Sequence, residues 1–334
     1  MSWLVTGGAG YIGSHIVRAF SANGIESIVL DDLSTGRKEF VPDGVAFVQG
    51  SICSARDLDR AFEAGHVDGV VHLAGFKYAG ESVKRPLECF HSNVEGTRQL
   101  LEACARHNVM NFVFSSSAAV FGTPDVDLVD EQTPTAPESP YGESKLIGEW
   151  LCRDFAKSRE LDGGSTFKWT ALRYFNVVGS GAREVYDVSP HNLFPLVMDA
   201  VSNGRNPKVF GNDYPTPDGT CVRDYIHVQD VAEAHVAAAK KLQSGTTIAN
   251  HYNLGRGEGV SVKQIMEMVA EVTGIPFTPV LEPRRAGDPA RIVTSSAKAN
   301  ADLGWVAIQD LEAMVDSAWS AWQLAAQTGD ARLG

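Results

Sequence analysis

The stretch Leu4-Val5-Thr6-Gly7-Gly8-Ala9-Gly10-Tyr11-Ile12-Gly13 decides how the rest of the chain is read. The apolar run after Trp3 reads as a buried strand. Gly7, Gly10 and Gly13 follow at three-residue intervals, and Ile12, Ile16, Val17 and Phe20 then share one helical face. Strand, glycine turn, helix is the order in which a protein binds a dinucleotide. Glycine lets the backbone turn tightly and approach the pyrophosphate, and the helix N-terminus offers unpaired N–H groups and a positive dipole end. A glycine triplet alone usually only turns the chain, so its context matters. A second apolar run around Val29 and Leu30 ends in Asp31-Asp32, 18 residues past Gly13, near the spacing of an acid that takes the adenosine ribose. A carboxylate there repels a 2′-phosphate and favours NAD over NADP, while Arg37 close by pulls the other way.

Working outward, Val45–Val48 reads as a third strand and Asp57–Glu63 as part of a helix. Val67–Leu73 reads as a fourth strand that ends in the small residues Ala74-Gly75. Lys77 is placed either to reach a phosphate or to sit in solvent. Asn93–Ala105 has helical spacing, Asn111–Ser115 is the next strand, and Thr170–Tyr174 another. Strand and helix alternating this often imply an α/β fold, a Rossmann-type doubly wound parallel sheet covered on both faces. Gly7–Gly13, Asp31-Asp32, Ala74-Gly75 and Ser115–Ser117 all fall at the carboxyl ends of strands, so they share one edge in space, where such sheets bind ligands. Pro124–Pro140 reads as a long surface loop, closed by Ser139 as the cap of a helix with Pro140 in its first turn. After about residue 180 the rhythm weakens and prolines accumulate, which reads as a smaller second domain closing over the sheet edge. Asp230–Lys241 is the exception, an amphipathic pattern suited to packing back on the first domain.

Composition narrows the function. With 334 residues, 44% of them hydrophobic, the chain can build a large core or two domains sharing a cleft. A net charge of −12 argues against a nucleic-acid surface, although local arginines can still hold an anionic substrate. Cys53, Cys89, Cys104, Cys152 and Cys221 form no CxxC pair and no metal spacing, so they read as reduced thiols of the cytoplasm, with Cys104 and Cys152 in the core. No apolar run approaches the length of a membrane span, and the first strand begins at once, leaving no room for a signal peptide.

The chemistry rests on Tyr141-Gly142-Glu143-Ser144-Lys145. Tyr141 and Lys145, four apart, share one helix face. A lysine beside a phenol favours the phenolate, as does the positive ring of NAD+. A phenolate can take a proton from a sugar hydroxyl while NAD+ accepts hydride from the same carbon. Ser117, two residues past Ser115, is placed to hold that hydroxyl.

The chain resembles the extended short-chain dehydrogenase/reductase family, and within it the members that invert C4 of UDP-sugars. The stretches that carry the resemblance are VTGGAGYIGSH at 5–15, HLAGFKYAGESV at 72–83, NFVFSSSAAVFG at 111–122, SPYGESKL at 139–146, LRYFNVVGS at 172–180, FGNDYPTPDGT at 210–220, VRDYIHVQD at 222–230, YNLGRGEGVSV at 252–262 and RRAGD at 284–288. They cover nearly the whole chain, and 210–230 is especially specific. The resemblance implies an isomerase that interconverts UDP-galactose and UDP-glucose, with NAD recycled through a 4-keto intermediate that turns about its bond to the diphosphate. It implies residues 1–180 as the NAD-binding domain, with 225–250 packing back on it, and 181–334 as a mixed α/β UDP-sugar domain.

Residue by residue, it implies Ser117, Tyr141 and Lys145 as catalytic. The cofactor would be held by Gly7, Gly10, Tyr11, Ile12, Gly13, Asp31, Asp32, Ser51, Ile52, Leu73, Ala74, Lys77, Ser115, Tyr141, Lys145 and Phe175. The UDP-sugar would be held by Ser117, Asn176, Asn192, Leu193 and Phe210, with Arg223 and Arg285 on the diphosphate and Asp288 on the uridine ribose. Charge-assisted arginine–phosphate contacts let an acidic protein bind such a dianion. A homodimer through Asn93–His107 and Tyr141–Ala156 is also implied.

The chain departs from the family pattern in places. Gly50-Ser51-Ile52 has serine where an acid usually faces adenine, implying weaker NAD holding. Ser92-Asn93 replaces Asn-Asn, Cys221 a glycine and Phe121 a common tyrosine. Ile292, aligned with a position where some members carry a large aromatic, would leave room for an N-acetyl group, so UDP-N-acetylhexosamines are the alternative substrates. Nucleotide-sugar dehydratases carry an acid pair after the residue matching Ser117. Here Ala118-Ala119 follows, which speaks against that sibling. A net dehydrogenase is possible on chemistry alone. A non-catalytic NAD-binding regulator would tend to lose the Tyr/Lys pair that this chain keeps.

Overall fold

A computed structural model of the chain describes residues 1–161, 163, 166–285 and 288–328. Ala286 and Gly287 of the 284–288 stretch lie outside the described residues. The first half alternates as its pattern requires: β1 (Ser2–Thr6), α1 (Tyr11–Ala22), β2 (Glu26–Asp31), β3 (Ala46–Gln49), α2 (Ala55–Glu63) and β4 (Gly69–His72). Two short helices, α3 (Ala79–Lys84) and α4 (Pro86–Phe90), then lead through a π-helical turn at His91–Glu95 into α5 (Gly96–Arg106). The Asn93–Ala105 helix is therefore split, because the π-turn inserts a residue into the helical ladder. β5 (Asn111–Ser117), α6 (Pro140–Leu161) and β6 (Lys168–Tyr174) follow. Ser139 caps α6 by accepting from the Gly142 amide at 3.2 Å, with Pro140 in the first position as its missing N–H permits.

Beyond β6 come β7 (Asn176–Val178), α7 (Leu193–Ser202), β8 (Lys208–Phe210), β9 (Val222–His227), α8 (Val228–Gln243), β10 (His251–Leu254), β11 (Gly259–Ser261), α9 (Val262–Thr273), β12 (Val280–Glu282), β13 (Arg291–Ile292), α10 (Ala297–Leu303) and α11 (Leu311–Gln327). The main sheet has seven parallel strands in the order β10-β6-β5-β4-β1-β2-β3. Chain order reverses between β1 and β4, the point where a doubly wound sheet opens its ligand crevice. Strand residues alternate between faces. Trp3, Val5, Val29, Val71 and Val113 join α1 and α8 in one core, whereas Leu4, Ile28, Leu30, Val70 and Phe112 join residues of α2, α5 and α6 in another. The segment 225–250 contains α8, which lies against α1, and the chain runs on from it into β10 beside β6.

A smaller sheet has β9 between β11 and β13, with β7 also on β9, and β8 pairs with β12. These strands with α7, α9 and α11 enclose a third apolar core. The loop at 124–140 differs from the surface loop its composition predicts. Val129 is fully buried and bridges Thr294, with its N–H on the Val293 carbonyl at 2.8 Å. One apolar residue in a polar stretch is enough to anchor it. Cys104 and Cys152 are both buried in the core. Among the described residues no helix is long and apolar enough to cross a membrane.

Candidate active site

One cavity of about 1230 Å³ runs along the carboxyl ends of the sheet and under α7. Every catalytic, cofactor and UDP-sugar residue named from the sequence lines it except Ile292, from Gly7 and Asp31 at one end to Phe210, Arg223, Arg285 and Asp288 at the other.

The glycine turn forms the floor. Gly7 has φ of 74°, and a Cβ there would meet the Ala74 amide at 2.7 Å. A Cβ on Gly13 would meet the Gly7 carbonyl at 2.1 Å. α1 begins at Tyr11 after Gly10, which makes no side-chain cap, so the helix dipole and first-turn amides face the cavity. This cradle fits a pyrophosphate, and NAD is the dinucleotide the surrounding residues favour. Asp31, 7% exposed at the end of β2, accepts from Ala9 N at 3.0 Å and Leu33 N at 2.9 Å, so it also braces the turn itself. Burial pushes its carboxyl up, while those two amides pull it back. Asp32 is exposed and caps Ser34 N at 2.9 Å. Arg37, the residue that could have favoured a 2′-phosphate, is not on the cavity wall. Its guanidinium is buried between the Phe40 and Tyr186 rings and donates to the Tyr186 hydroxyl at 2.5 Å. At Ser51 the missing acid has a neighbour: Asp57, in the first turn of α2, accepts from Ser51 N at 3.1 Å, but from behind the wall.

Ser117, Tyr141 and Lys145 meet midway. β5 ends at Ser117, whose hydroxyl accepts from the Ala119 amide at 3.2 Å and is near enough to the Tyr141 phenol to favour its phenolate. Lys145, one turn along α6, donates to the Ser115 carbonyl at 2.8 Å, and its Nζ lies 5.8 Å from the Tyr141 ring centre. Burial pushes the lysine down to about 8. The expected lowering of the phenol by Lys145 is not among the effects acting on it. Tyr141 is pushed up, because burial penalises the phenolate more than the Ser117 hydroxyl favours it. Ala118 and Ala119 follow in a 3-10 turn with no acid between Ser117 and Phe121.

At the far end, Arg285 stacks on Phe210 with its guanidinium carbon 3.8 Å from the ring centre. Arg223 pairs with Asp288 at 3.5 Å. Asn176 donates to the Asp224 carbonyl at 3.0 Å, and Asn192 to Asp187 Oδ2 at 2.7 Å, so both amides are oriented by protein partners. Lys77 lines the cavity and is also exposed to solvent, so both of its alternatives stand, and it lies 5.3 Å over the Tyr78 ring. Ile292 differs from expectation. It is 9% exposed, packed with Phe121, Val129 and Phe175, and is not a wall residue, so it does not itself set the width of the sugar end.

Sequence reasoning missed Tyr174, whose hydroxyl is hydrogen-bonded to Ser115 Oγ. It also missed Tyr78 and His191, which meet edge to face at 4.8 Å across the cavity from two separate loops. Tyr174 was within reach, since it ends a strand on the binding edge. The Tyr78–His191 pairing carries no sequence signal.

The family model described as "NAD dependent epimerase/dehydratase family" matches residues 3–255. The UDP-glucose 4-epimerase of Corynebacterium glutamicum is 42% identical over 96% of this chain and 95% of its own. The structure of the UDP-glucose 4-epimerase from Brucella ovis in complex with NAD superposes with a TM-score of 0.90 at 36% identity, covering 96% of this chain and 98% of that one. The Bifidobacterium longum UDP-glucose 4-epimerase in complex with NAD+ and UDP gives 0.87 at 34% identity, over 98% and 100%. On its glycine turn, its Ser/Tyr/Lys cluster and these similarities, the chain belongs to the NAD dependent epimerase/dehydratase family.

Proposed function

We propose that the chain interconverts UDP-galactose and UDP-glucose, an NAD-dependent isomerase acting at C4 of the sugar. The observation that carries this is one cavity that joins the glycine turn, the Ser117–Tyr141–Lys145 cluster and the Arg223/Arg285 pair in sequence along its length. NAD+ held by these residues would supply reversible hydride transfer at C4, accepting in its oxidised form and donating in its reduced form, and its positive charge would favour the Tyr141 phenolate.

Tyr141 takes and gives back the C4 hydroxyl proton. Ser117 orients that hydroxyl and supports the phenol. Lys145, tied to Ser115, adds positive charge next to the phenol. Gly7, Gly10, Tyr11, Ile12 and Gly13 hold the pyrophosphate, Asp31 and Asp32 the adenosine ribose. Arg223 and Arg285 clamp the diphosphate of the substrate while Phe210 and Leu193 wall the uridine end. Strong anchoring of UDP, with the sugar held by few groups, is what a turn of the keto sugar needs. We assign NAD binding to residues 1–180 with α8, and UDP-sugar binding to most of 181–334. The five free cysteines suit the cytoplasm. α5 and α6, with exposed Trp150, suit a homodimer.

Incubation with UDP-galactose, with and without added NAD+, tests the reading by chromatography with absorbance followed for NADH. UDP-glucose appearing without NADH accumulation is the expected result. Steady NADH release, or no UDP-glucose, would move the chain to another reaction of the family.

A further inference from the structure

The segment 184–192, which leads into α7, is fastened to the first half of the chain at both of its ends. At one end Glu184 pairs with Arg18 of α1 at 2.8 Å. Beside it, Tyr186 accepts from Arg37 at 2.5 Å, and its ring meets Phe40 edge to face at 5.6 Å. Arg37 and Phe40 belong to the loop between β2 and β3. At the other end His191 meets the Tyr78 ring at 4.8 Å and an interplanar angle of 68°. Tyr78 belongs to the loop that follows β4.

The two anchors stand on either side of β1, which lies between β2 and β4 in the sheet. The glycine turn leaves the carboxyl end of that strand. A segment fastened to the loop after β2 and to the loop after β4 therefore passes over the glycine turn between them. Tyr186, Asp187, Ser189 and His191 line the same cavity as Gly7 and Gly10. Midway, the Asp187 carboxyl is near enough to Tyr11 and to Lys77 for the charges to be felt. A pyrophosphate on the turn would lie beneath this strap.

The strap is tied to itself. Asp187 accepts from Ser189 N at 3.0 Å and from Asn192 Nδ2 at 2.7 Å, and Ser189 Oγ accepts from His191 N at 3.3 Å. Its middle therefore carries His191 with it. The two ends are unequal. Tyr186 is buried against a charged donor, with an ion pair two residues away. His191 is exposed and rests on the edge contact with Tyr78, with Glu81 near enough to feel its charge. The His191 end is the weaker tie and the one that lifts first.

We infer that Tyr78 and His191 retain the bound dinucleotide, as the latch of a strap that must lift before NAD can pass between the glycine turn and solvent. This rests on the glycine turn holding NAD. The two rings grip each other rather than the ligand, so the latch slows exchange without adding affinity. It keeps NAD in place even where Ser51 offers adenine no carboxylate.

The full chain, loaded with radiolabelled NAD+ and chased with unlabelled NAD+, tests it. Dissociation is read from the label retained on the protein, association from uptake of labelled NAD+ by chain stripped of cofactor, and Kd from calorimetry. His191→Ala and Tyr78→Ala should each raise both rate constants by about 3–10-fold, the worth of one aromatic pair, with Kd within about twofold of the wild type. The double variant should exceed either single one by less than about twofold, because all three lose the same contact. His191→Phe keeps a ring for Tyr78 and should exchange NAD+ near the wild-type rate. Faster dissociation with unchanged association, and Kd weakened in proportion, would mean that the rings touch the ligand, and would overturn the inference. So would exchange at the wild-type rate in His191→Ala. His191 is exposed, so its variants decide the matter even if Tyr78→Ala folds poorly. A wild-type chain that takes up no NAD+ would overturn the cofactor reading of the glycine turn and this inference with it, and would show before any variant is compared.

Discussion

Glu149 and Arg173 form a buried two-point ion pair directly behind the candidate catalytic residues. Arg173 Nε lies 2.8 Å from Glu149 Oε1 and its Nη2 2.5 Å from Oε2, while Ser116 Oγ also donates to Oε1 at 2.5 Å. Glu149 and Arg173 are 5% and 4% exposed. Glu149 is one turn past Lys145 on α6, and Ser116 lies between Ser115 and Ser117 on β5. The pair therefore locks the helix carrying Tyr141 to the strand carrying Ser117.

Removing one partner leaves the other charge buried and unpaired. Glu149→Ala is expected to lower unfolding stability by about 3–5 kcal/mol, and replacing both residues by methionine to recover much of that loss. Urea unfolding of the two variants checks this. A Glu149→Ala loss below about 1 kcal/mol would show that the arginine finds water or another acceptor.

The glycine turn gives a contrast between two neighbours. A Cβ on Gly13 meets Gly7 O at 2.1 Å and Gly8 Cα at 2.8 Å, both backbone atoms that cannot move aside, whereas on Gly10 it meets only Gly7 O at 3.2 Å. Gly13→Ala should cost about 1–3 kcal/mol of overpacking or more, and abolish NAD+ binding with it. Gly10→Ala should melt within about 1 kcal/mol of the wild type. Thermal unfolding and calorimetric titration with NAD+ separate the two. Equal behaviour of both variants would contradict the tight Gly7–Gly13 approach.

How much of this was legible beforehand follows from where each interaction lies along the chain. The glycine turn, the strand ends and Tyr141/Lys145 are local patterns: glycine spacing, period-3.6 apolar residues and an i, i+4 pair. Each marks its own place, and the strand-end rule then gathers them on one edge. Val129 in its loop, the Asn93 amide on the Phe76 backbone and the Tyr78–His191 contact join segments far apart in sequence, and nothing local in either partner announces the other. The π-turn itself reads as ordinary helix, because it moves Asn93 by only one position. Ile292 was assigned by alignment to a pocket wall and proved to be one layer behind it, since residue spacing does not tell a wall from its backing.

Four histidines set a dependence on pH. His15, His72, His227 and His235 are buried, and burial pushes them down to about 4, 3, 4 and 4. Unfolded, each binds a proton below about 6.5. Between about 6.5 and 4 the unfolded chain therefore holds more protons than the folded one, and stability falls as pH falls. Each contributes a slope of about 1.4 kcal/mol per pH unit. Asp224, pushed up to about 6 by burial, acts in the opposite sense: folded, it takes up a proton at a pH where the unfolded chain has not, and it offsets about one histidine. Urea midpoints should drop steeply from pH 6.5 to 5, and His235→Leu should reduce that drop by about one proton's share. A midpoint that stays level over this range would mean that the histidines gain protons without unfolding.

Tyr141 is the sharpest test of the site. Its phenol lies beside Ser117, and its helix is fixed from three sides, by Lys145 on Ser115, Ser144 on Asn93 and Glu149 on Arg173. Tyr141→Phe removes one oxygen and none of these ties, so the turn should hold its place and NAD+ should still bind. What is lost is the group that moves the C4 proton, a contribution of about 10²–10⁴ in rate. The expected outcome is a kcat lower by about that factor, with NAD+ affinity within a few-fold of the wild type. Ser117→Ala should fall less, since it orients the hydroxyl without accepting its proton. Turnover of Tyr141→Phe within about tenfold of the wild type would mean that another group handles the proton, and Tyr174, whose hydroxyl is hydrogen-bonded to Ser115 on the same wall, would be the residue to replace next.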